Sequence, residues 1–161
     1  MEILWAPWRM DYIRSPKKES SACVFCDKLE NVNDRENLVL YRSAHSFVAM
    51  NPYPYNNGHL MVLPYKHASD FDGMDDETML DLIKMTRFST DMLRKAFAPE
   101  GFNVGFNIGK VAGAGLGEHL HIHIVPRWTG DVGFMTVIGE LRVIPQHLFN
   151  TYDTLYPIFN P

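Results

Sequence analysis

The sequence predicts an α+β domain built on an antiparallel sheet, and two observations carry that expectation. Short β-prone runs fill residues 38–63, one long helical pattern occupies 75–97, and β-prone runs return over 101–127. Strands, then a helix, then strands again is not the alternation of a βαβ series. The second observation is the run His119-Leu120-His121-Ile122-His123-Ile124, where polar and apolar residues alternate strictly. A period of two puts three of the seven histidines on one strand face and Leu120, Ile122 and Ile124 on the core face. Two residues of strand rise roughly 6.6 Å, so imidazoles about 7 Å apart are expected along the polar face, a spacing suited to a phosphate or a metal. Histidine has no strand preference that would repeat it by chance.

At 161 residues one domain with one core is expected, large enough to bury about two-thirds of its unfolded surface. Hydrophobic content of 46% and charged content of 21% are ordinary for a globular protein, and a net charge of -4 argues against nucleic-acid wrapping as the main activity. Residues 1–13 contain no apolar run of signal-peptide length, and no other segment approaches a membrane span, so a cytoplasmic location without a membrane partner is the expectation. Cys23 and Cys26 are separated by two residues. That spacing disfavours a loop-closing disulfide and favours metal or redox chemistry.

In chain order, Trp5-Ala6-Pro7-Trp8-Arg9 opens an aromatic, proline-punctuated arm, followed by a solvated loop over 15–21. Residues 38–41 and 46–50 read as a hairpin joined by 42–45. The run 51–57 is a loop, punctuated by Pro52, Pro54 and Asn56-Asn57-Gly58, and 59–63 is a third strand closed by Pro64. From 75 to 97 the spacing becomes helical, with Met79, Leu82, Ile83, Leu93 and Phe97 on one stripe and Met85, Phe88, Met92 and Ala96 beside it. Asp75, Asp76 and Glu77 suit its N-terminus, and Pro99 stops it. The stripe is wider than one sheet face requires, which leaves two readings, core alone or core plus a subunit interface. Strands are expected over 101–109 and 119–127, joined by a glycine-rich turn, then a short strand over 134–137 and a helix from 145 to about 156.

The run from His119 to Val125 matches the His-x-His-x-His signature of the histidine triad (HIT) family of nucleotide hydrolases and transferases. Met50-Asn51-Pro52, Gly58-His59-Leu60-Met61-Val62-Leu63-Pro64 and Asn107-Ile108-Gly109 resemble the family's other blocks in the same order, so the resemblance covers about 23–128. It implies a HIT fold, an antiparallel five-stranded sheet with one long helix and a short C-terminal helix. A single domain over 1–161 is then expected, with an arm (1–22), a core (23–128) and a C-terminal extension (129–161), and the family's habit implies a homodimer. The loop Ala112-Gly113-Ala114-Gly115-Leu116-Gly117-Glu118 departs from the commoner Ala-Gly-Gln-Ser/Thr-Val-x pattern. Together with the Trp5-to-Ile13 arm it is similar to the branch containing bacterial diadenosine tetraphosphate phosphorylases.

The chemistry is arguable from the residues. Water attacks a phosphoanhydride poorly, whereas neutral imidazole is a nucleophile near pH 7, and a covalent nucleotidyl-histidine splits one hard displacement into two. The middle histidine of three is best placed, and the resemblance makes His121 the nucleophile. It implies further that His123 contacts the α-phosphate or bridging oxygen and that Asn107 bonds phosphate oxygens. His59 and Asn51 would lie around the nucleotide, with Asn51 at the ribose, although an Asn before Pro is as often a turn residue. Gly113, Gly115 and Gly117 would let backbone N–H groups approach phosphate. The missing Gln and Ser/Thr leave the acceptor open between water and inorganic phosphate. For Cys23 and Cys26 the family implies structural zinc, completed by His67 and His119. A phosphoramidase of the same family and a nucleotide-binding sensor without turnover are the competing functions.

Overall fold

The computed structural model describes residues 23–30, 33–113, 119–131 and 144–161. The N-terminal arm, the strand expected over 134–137, Gly115 and Gly117 lie outside the described residues. Five antiparallel strands form one sheet: β1 (Val39–Arg42), β2 (Ser46–Met50), β3 (Leu60–Pro64), β4 (Gly101–Phe106) and β5 (Ile122–Arg127), in the order β1-β2-β3-β5-β4. Around it are α1 (Val24–Glu30), α2 (Asp34–Asn37), the long helix α3 (Asp76–Phe97) and the C-terminal α4 (Leu148–Phe159). Among the described residues no helix is long and apolar enough to cross a membrane.

Alternation within each strand sorts the core. Val48, Met50, Leu60, Val62, Ile122 and Ile124 pack with Leu82, Met92 and Leu93 of α3 and Tyr152, Leu155 and Phe159 of α4. Phe47, Ala49, Met61 and Leu63 face the other way, against Phe25 and Leu29 of α1. Each of these fully buried aliphatic side chains contributes about 1.5–3 kcal/mol. The helix of α3 starts as its acidic residues foretell: Asp75 Oδ1 accepts the Thr78 N–H at 2.7 Å. It ends in left-handed Ala98 just before Pro99. Its stripe divides, however. Leu82 and Leu93 are buried, whereas Met79 and Ile83 are exposed, Ile83 by 59%.

Two expected strands are shorter than the sequence suggested. The third histidine-bearing strand begins at Ile122 and not at His119, and β4 stops at Phe106, before Asn107. Pro64 explains the first truncation. In the β3–β5 register, Val62 pairs with Ile122, so Pro64 would face Leu120, and proline has no N–H to extend the ladder. The Leu120 N–H turns instead to the Ala68 carbonyl at 2.7 Å. The C-terminal helix runs from Leu148 to Phe159, later at both ends than expected, and accommodates Pro157. Tyr152 Oη donates to the Val39 carbonyl at 2.9 Å, fastening α4 to the sheet.

Gly58 is the one position before the site where only glycine fits. Its φ is +72°, and an added Cβ would meet Leu93 and Phe97 side-chain carbons at 3.3 Å. Gly58→Ala is therefore expected to lower unfolding free energy by about 1–3 kcal/mol, read from urea titration. Just past β5, Arg127 holds Asp131 through Nε to Oδ2 at 2.6 Å and Nη2 to Oδ1 at 2.9 Å. This pairing draws the Asp131 carboxyl down to about 2. Because the folded value lies below the unfolded one, the pair's stabilisation is present above about pH 3.9 and is lost as pH falls towards 2. The stability difference between wild type and Asp131→Asn is expected to shrink through that window in acid titrations.

Candidate active site and metal centre

His123 sits on β5 beside Met61 of β3, on the sheet face opposite α3. His119 and His121 precede the strand, and their departure from extended geometry closes the spacing expected from the strand rise. The ring centroids of His121 and His123 are 4.5 Å apart, not about 7 Å, at 76°. Leu120, Ile122 and Ile124 are buried as the alternation requires.

Backbone groups settle the tautomers, because a carbonyl only accepts and an N–H only donates. His121 Nδ1 lies 2.8 Å from the His119 carbonyl oxygen, so its proton is on Nδ1 and the Nε2 lone pair is available. His119 Nε2 lies 2.9 Å from the Pro64 carbonyl, so its proton is on Nε2 and Nδ1 is the lone-pair nitrogen. The Tyr55 N–H donates to His59 Nδ1 at 3.0 Å, which puts the His59 proton on Nε2. That N–H points at His123 Nδ1, 3.0 Å away. His123 therefore accepts at Nδ1 and carries its proton on Nε2, where the Asn107 amide lies 3.3 Å away. An Asn107 amide turned with its oxygen to this N–H satisfies both groups.

Burial keeps the cluster neutral. Desolvation holds His119 and His121 below the usual imidazole range, and desolvation with the neighbouring His121 takes His123 down to about 4. At pH 7 the arrangement thus offers a neutral nucleophile at His121 Nε2 and a neutral N–H donor at His123 Nε2. Phe25 of α1 packs on the site, its ring 5.4 Å from His121 and 5.8 Å from His119.

The other expected residues are placed unevenly. His59 is 1% exposed and reaches His123, so it supports the triad from within. Asn51 forms the turn that its Asn-Pro context suggests: Oδ1 accepts the Tyr53 N–H at 2.9 Å, leaving the amide nitrogen as what it can offer a ligand. Gly113 is left-handed, at φ 88°, and ends a short 3-10 turn over Lys110–Ala112. The Tyr55 N–H, the Pro64 carbonyl and Phe25 carry no sequence mark and were not singled out.

The second cluster converges without distortion. Cys23 precedes α1 and Cys26 lies three residues on, a helical offset that brings both thiols to one side. Cys23 Sγ lies 3.4 Å from His119 Nδ1, Cys26 Sγ 3.7 Å from the same atom, and Cys26 Sγ 3.6 Å from His67 Nδ1. All four ligand atoms lie within 4.8 Å of one another. Metal–sulfur bonds of about 2.3 Å and metal–nitrogen bonds of about 2.0 Å imply tetrahedral S···N edges of about 3.5 Å. The residues fit a closed tetrahedral ion, and the Pro64 carbonyl orients the buried His119 ring as second-layer acceptors do.

With this geometry, the comparisons have a structural meaning. The HIT domain family model matches residues 32–130. Over 157 residues the chain is 40% identical to a protein of Mycobacterium tuberculosis called AP-4-A phosphorylase, covering 94% of this chain and 80% of the relative. It is 30% identical to the adenosine 5'-monophosphoramidase of Schizosaccharomyces pombe over 127 residues, 79% of this chain and 90% of that one. Among solved structures, a zinc-bound histidine triad family protein from Mycobacterium smegmatis superposes with a TM-score of 0.69 at 24% identity, covering 86% of this chain and 93% of that one. That neighbour has the same fold. The family-model match over the triad-bearing core and the near full-length 40% identity make this chain a member of the HIT domain family.

Proposed function

We propose that this chain cleaves nucleoside phosphoanhydrides, diadenosine polyphosphates foremost, by transferring a nucleotidyl group to His121. The observation that carries the reading is the 2.8 Å contact of His121 Nδ1 with the His119 carbonyl. It fixes the proton on Nδ1 and holds the lone pair at Nε2. In the first step Nε2 attacks the α-phosphorus, a P–N bond forms, and the P–O bond to the departing polyphosphate breaks. The positive charge on the ring is shared with the His119 carbonyl through Nδ1–H. His123 Nε2–H hydrogen-bonds the departing oxygen, and Asn107 supplies a second polar contact. In the second step an oxygen of phosphate or water attacks the same phosphorus and His121 leaves as neutral imidazole. The Asn51 amide nitrogen is assigned to the ribose, and backbone N–H groups at Gly113, Gly115 and Gly117 to phosphate.

Phosphate is the acceptor we favour, supported by the name of the 40%-identical mycobacterial relative. Diadenosine tetraphosphate, incubated with and without phosphate, separates the readings by product. Phosphate-dependent ADP supports phosphorolysis and AMP supports hydrolysis. Turnover confined to P–N substrates would favour the phosphoramidase reading, which the S. pombe relative's name supports. Nucleotide binding without turnover would favour a sensor.

We assign zinc to Cys23, Cys26, His67 and His119. Bound there it supplies a structural crosslink between α1, the segment after β3 and the first triad histidine. His119, so held, keeps its carbonyl on His121.

A second copy of the chain is proposed to cover the β4 edge. Helix α3 packs over β2, β3 and β5, while Val104 on the edge strand is 50% exposed and Leu80 and Ile83 of α3 are 55% and 59% exposed. An open strand edge flanked by apolar side chains suits pairing with a copy. Sedimentation is expected to give a dimer for the wild type and a monomer for the double variant Val104→Glu, Ile83→Glu; a monomeric wild type would remove the dimer.

A further inference from the structure

The 51–59 loop is anchored by a side chain with no direct part in the histidine cluster. Asn56 Oδ1 accepts the Asn57 N–H at 3.0 Å. Its Nδ2 donates to the Pro126 carbonyl at 3.1 Å and to Asp131 Oδ2 at 2.9 Å. The polarity is unambiguous, since the first partner only donates and the other two only accept. Arg127 in turn fixes Asp131 and reaches Asn103 Oδ1 of β4 at 2.8 Å. The clamp therefore ties the loop to the far end of β5, the strand that carries His123.

The backbone beside Asn56 touches His59 twice. The His59 N–H donates to the Asn56 carbonyl at 3.2 Å, and the preceding residue, Tyr55, donates its N–H to His59 Nδ1 at 3.0 Å. The Tyr55 ring covers the pair, its centroid 4.6 Å from that of His59 and 5.7 Å from that of His123. A small rotation of the loop would withdraw the Tyr55 N–H and free His59 Nδ1 to take the proton. His59 Nε2 would then become an acceptor, and His123 would have to place its own proton on Nδ1 to meet it.

We propose that Asn56 is a positioning residue: clamped by Asp131 and the Pro126 carbonyl, it keeps the Tyr55 N–H on His59 and so obliges His123 to present Nε2–H to the substrate. The consequence for turnover rests on the functional reading above; the tautomers themselves do not. Loss of the clamp turns a ready hydrogen-bond donor into a bare lone pair facing the phosphate oxygens. Ground-state binding through the rest of the site is left largely in place.

The test uses the full chain with 15N-labelled histidine, whose long-range 1H–15N spectra distinguish the two neutral tautomers. Wild type is expected to show single Nε2–H forms for His59 and His123. Asn56→Ala is expected to populate Nδ1–H forms at both, with kcat on diadenosine tetraphosphate lowered roughly 10- to 100-fold and KM changed less than about threefold. Asp131→Asn, which keeps an amide oxygen in place, is expected to give a smaller change of the same kind and stands in if Asn56→Ala fails to fold. Asp153→Ala, which breaks the 2.9 Å surface pair of Asp153 with Arg35 on α4, serves as a control expected to alter neither readout. Unchanged tautomers in a folded Asn56→Ala or Asp131→Asn protein, or shifted tautomers with wild-type kcat, would overturn the proposal. A wild type with the Nε2–H forms but no turnover of any phosphoanhydride would overturn the functional reading and leave the clamp standing.

Discussion

His121→Ala is expected to lower turnover of diadenosine tetraphosphate by on the order of 10⁴-fold or more, the scale of removing a nucleophile that works as part of a unit. Nucleotide affinity, measured by calorimetry, should change little, because the alanine leaves His123, Asn107 and the loop backbone in place. The fold should also survive. His121 is partly exposed and its Nδ1 bond is to the His119 carbonyl two residues away, so no long-range contact is lost with it. A variant that binds and still turns over at the wild-type rate would mean that the phosphorus is attacked directly by water or phosphate, with the histidines as spectators.

Removing the metal is the second large effect. Metal analysis of the purified chain should give one zinc per chain, and Cys23→Ala, Cys26→Ala and His67→Ala should each lose most of it. Stability should fall on the order of several kcal/mol, because the binding free energy of a closed Cys2His2 site is folding free energy. His121→Ala is expected to keep its zinc, which separates the crosslink from the chemistry although the residues are two apart. A chain free of zinc whose melting temperature is indifferent to chelator and to His67 would take zinc out of the structure's account.

What was legible in the sequence follows from which interactions have a local pattern. Alternation at 46–50, 60–64 and 122–127 and the helical spacing after Asp75 are periodic, so the sheet and α3 could be read directly. Chemistry-bearing side chains in a rare arrangement were legible too: His119, His121 and His123, the Cys23–Cys26 pair and Asn107 all converge. Illegible were the features set by a missing or distant backbone group. Pro64 denies the ladder an N–H, so the histidine strand starts three residues late and the rings come to 4.5 Å. The Tyr55 N–H and the Pro64 carbonyl, which fix two tautomers, belong to residues whose side chains give no hint of the task. The short helix α1 escaped notice for a different reason: at seven residues it is held by packing Phe25 and Leu29 under the sheet, and not by propensity. The exposure of Ile83 likewise depends on where α3 lies over the sheet, which its own spacing cannot express.

The covalent nucleotidyl-His121 is tested most directly by the stereochemical course at the α-phosphorus. A dinucleoside polyphosphate with one sulfur-substituted, configurationally defined α-phosphorus is cleaved with phosphate as acceptor, and the configuration of the resulting ADP thio-analogue is determined; with water as acceptor, oxygen-18 water makes the AMP analogue chiral in the same way. Each in-line displacement inverts the centre. Attack by His121 followed by attack on the nucleotidyl-histidine is expected to give net retention. Net inversion would mean a single displacement and would contradict His121 as nucleophile.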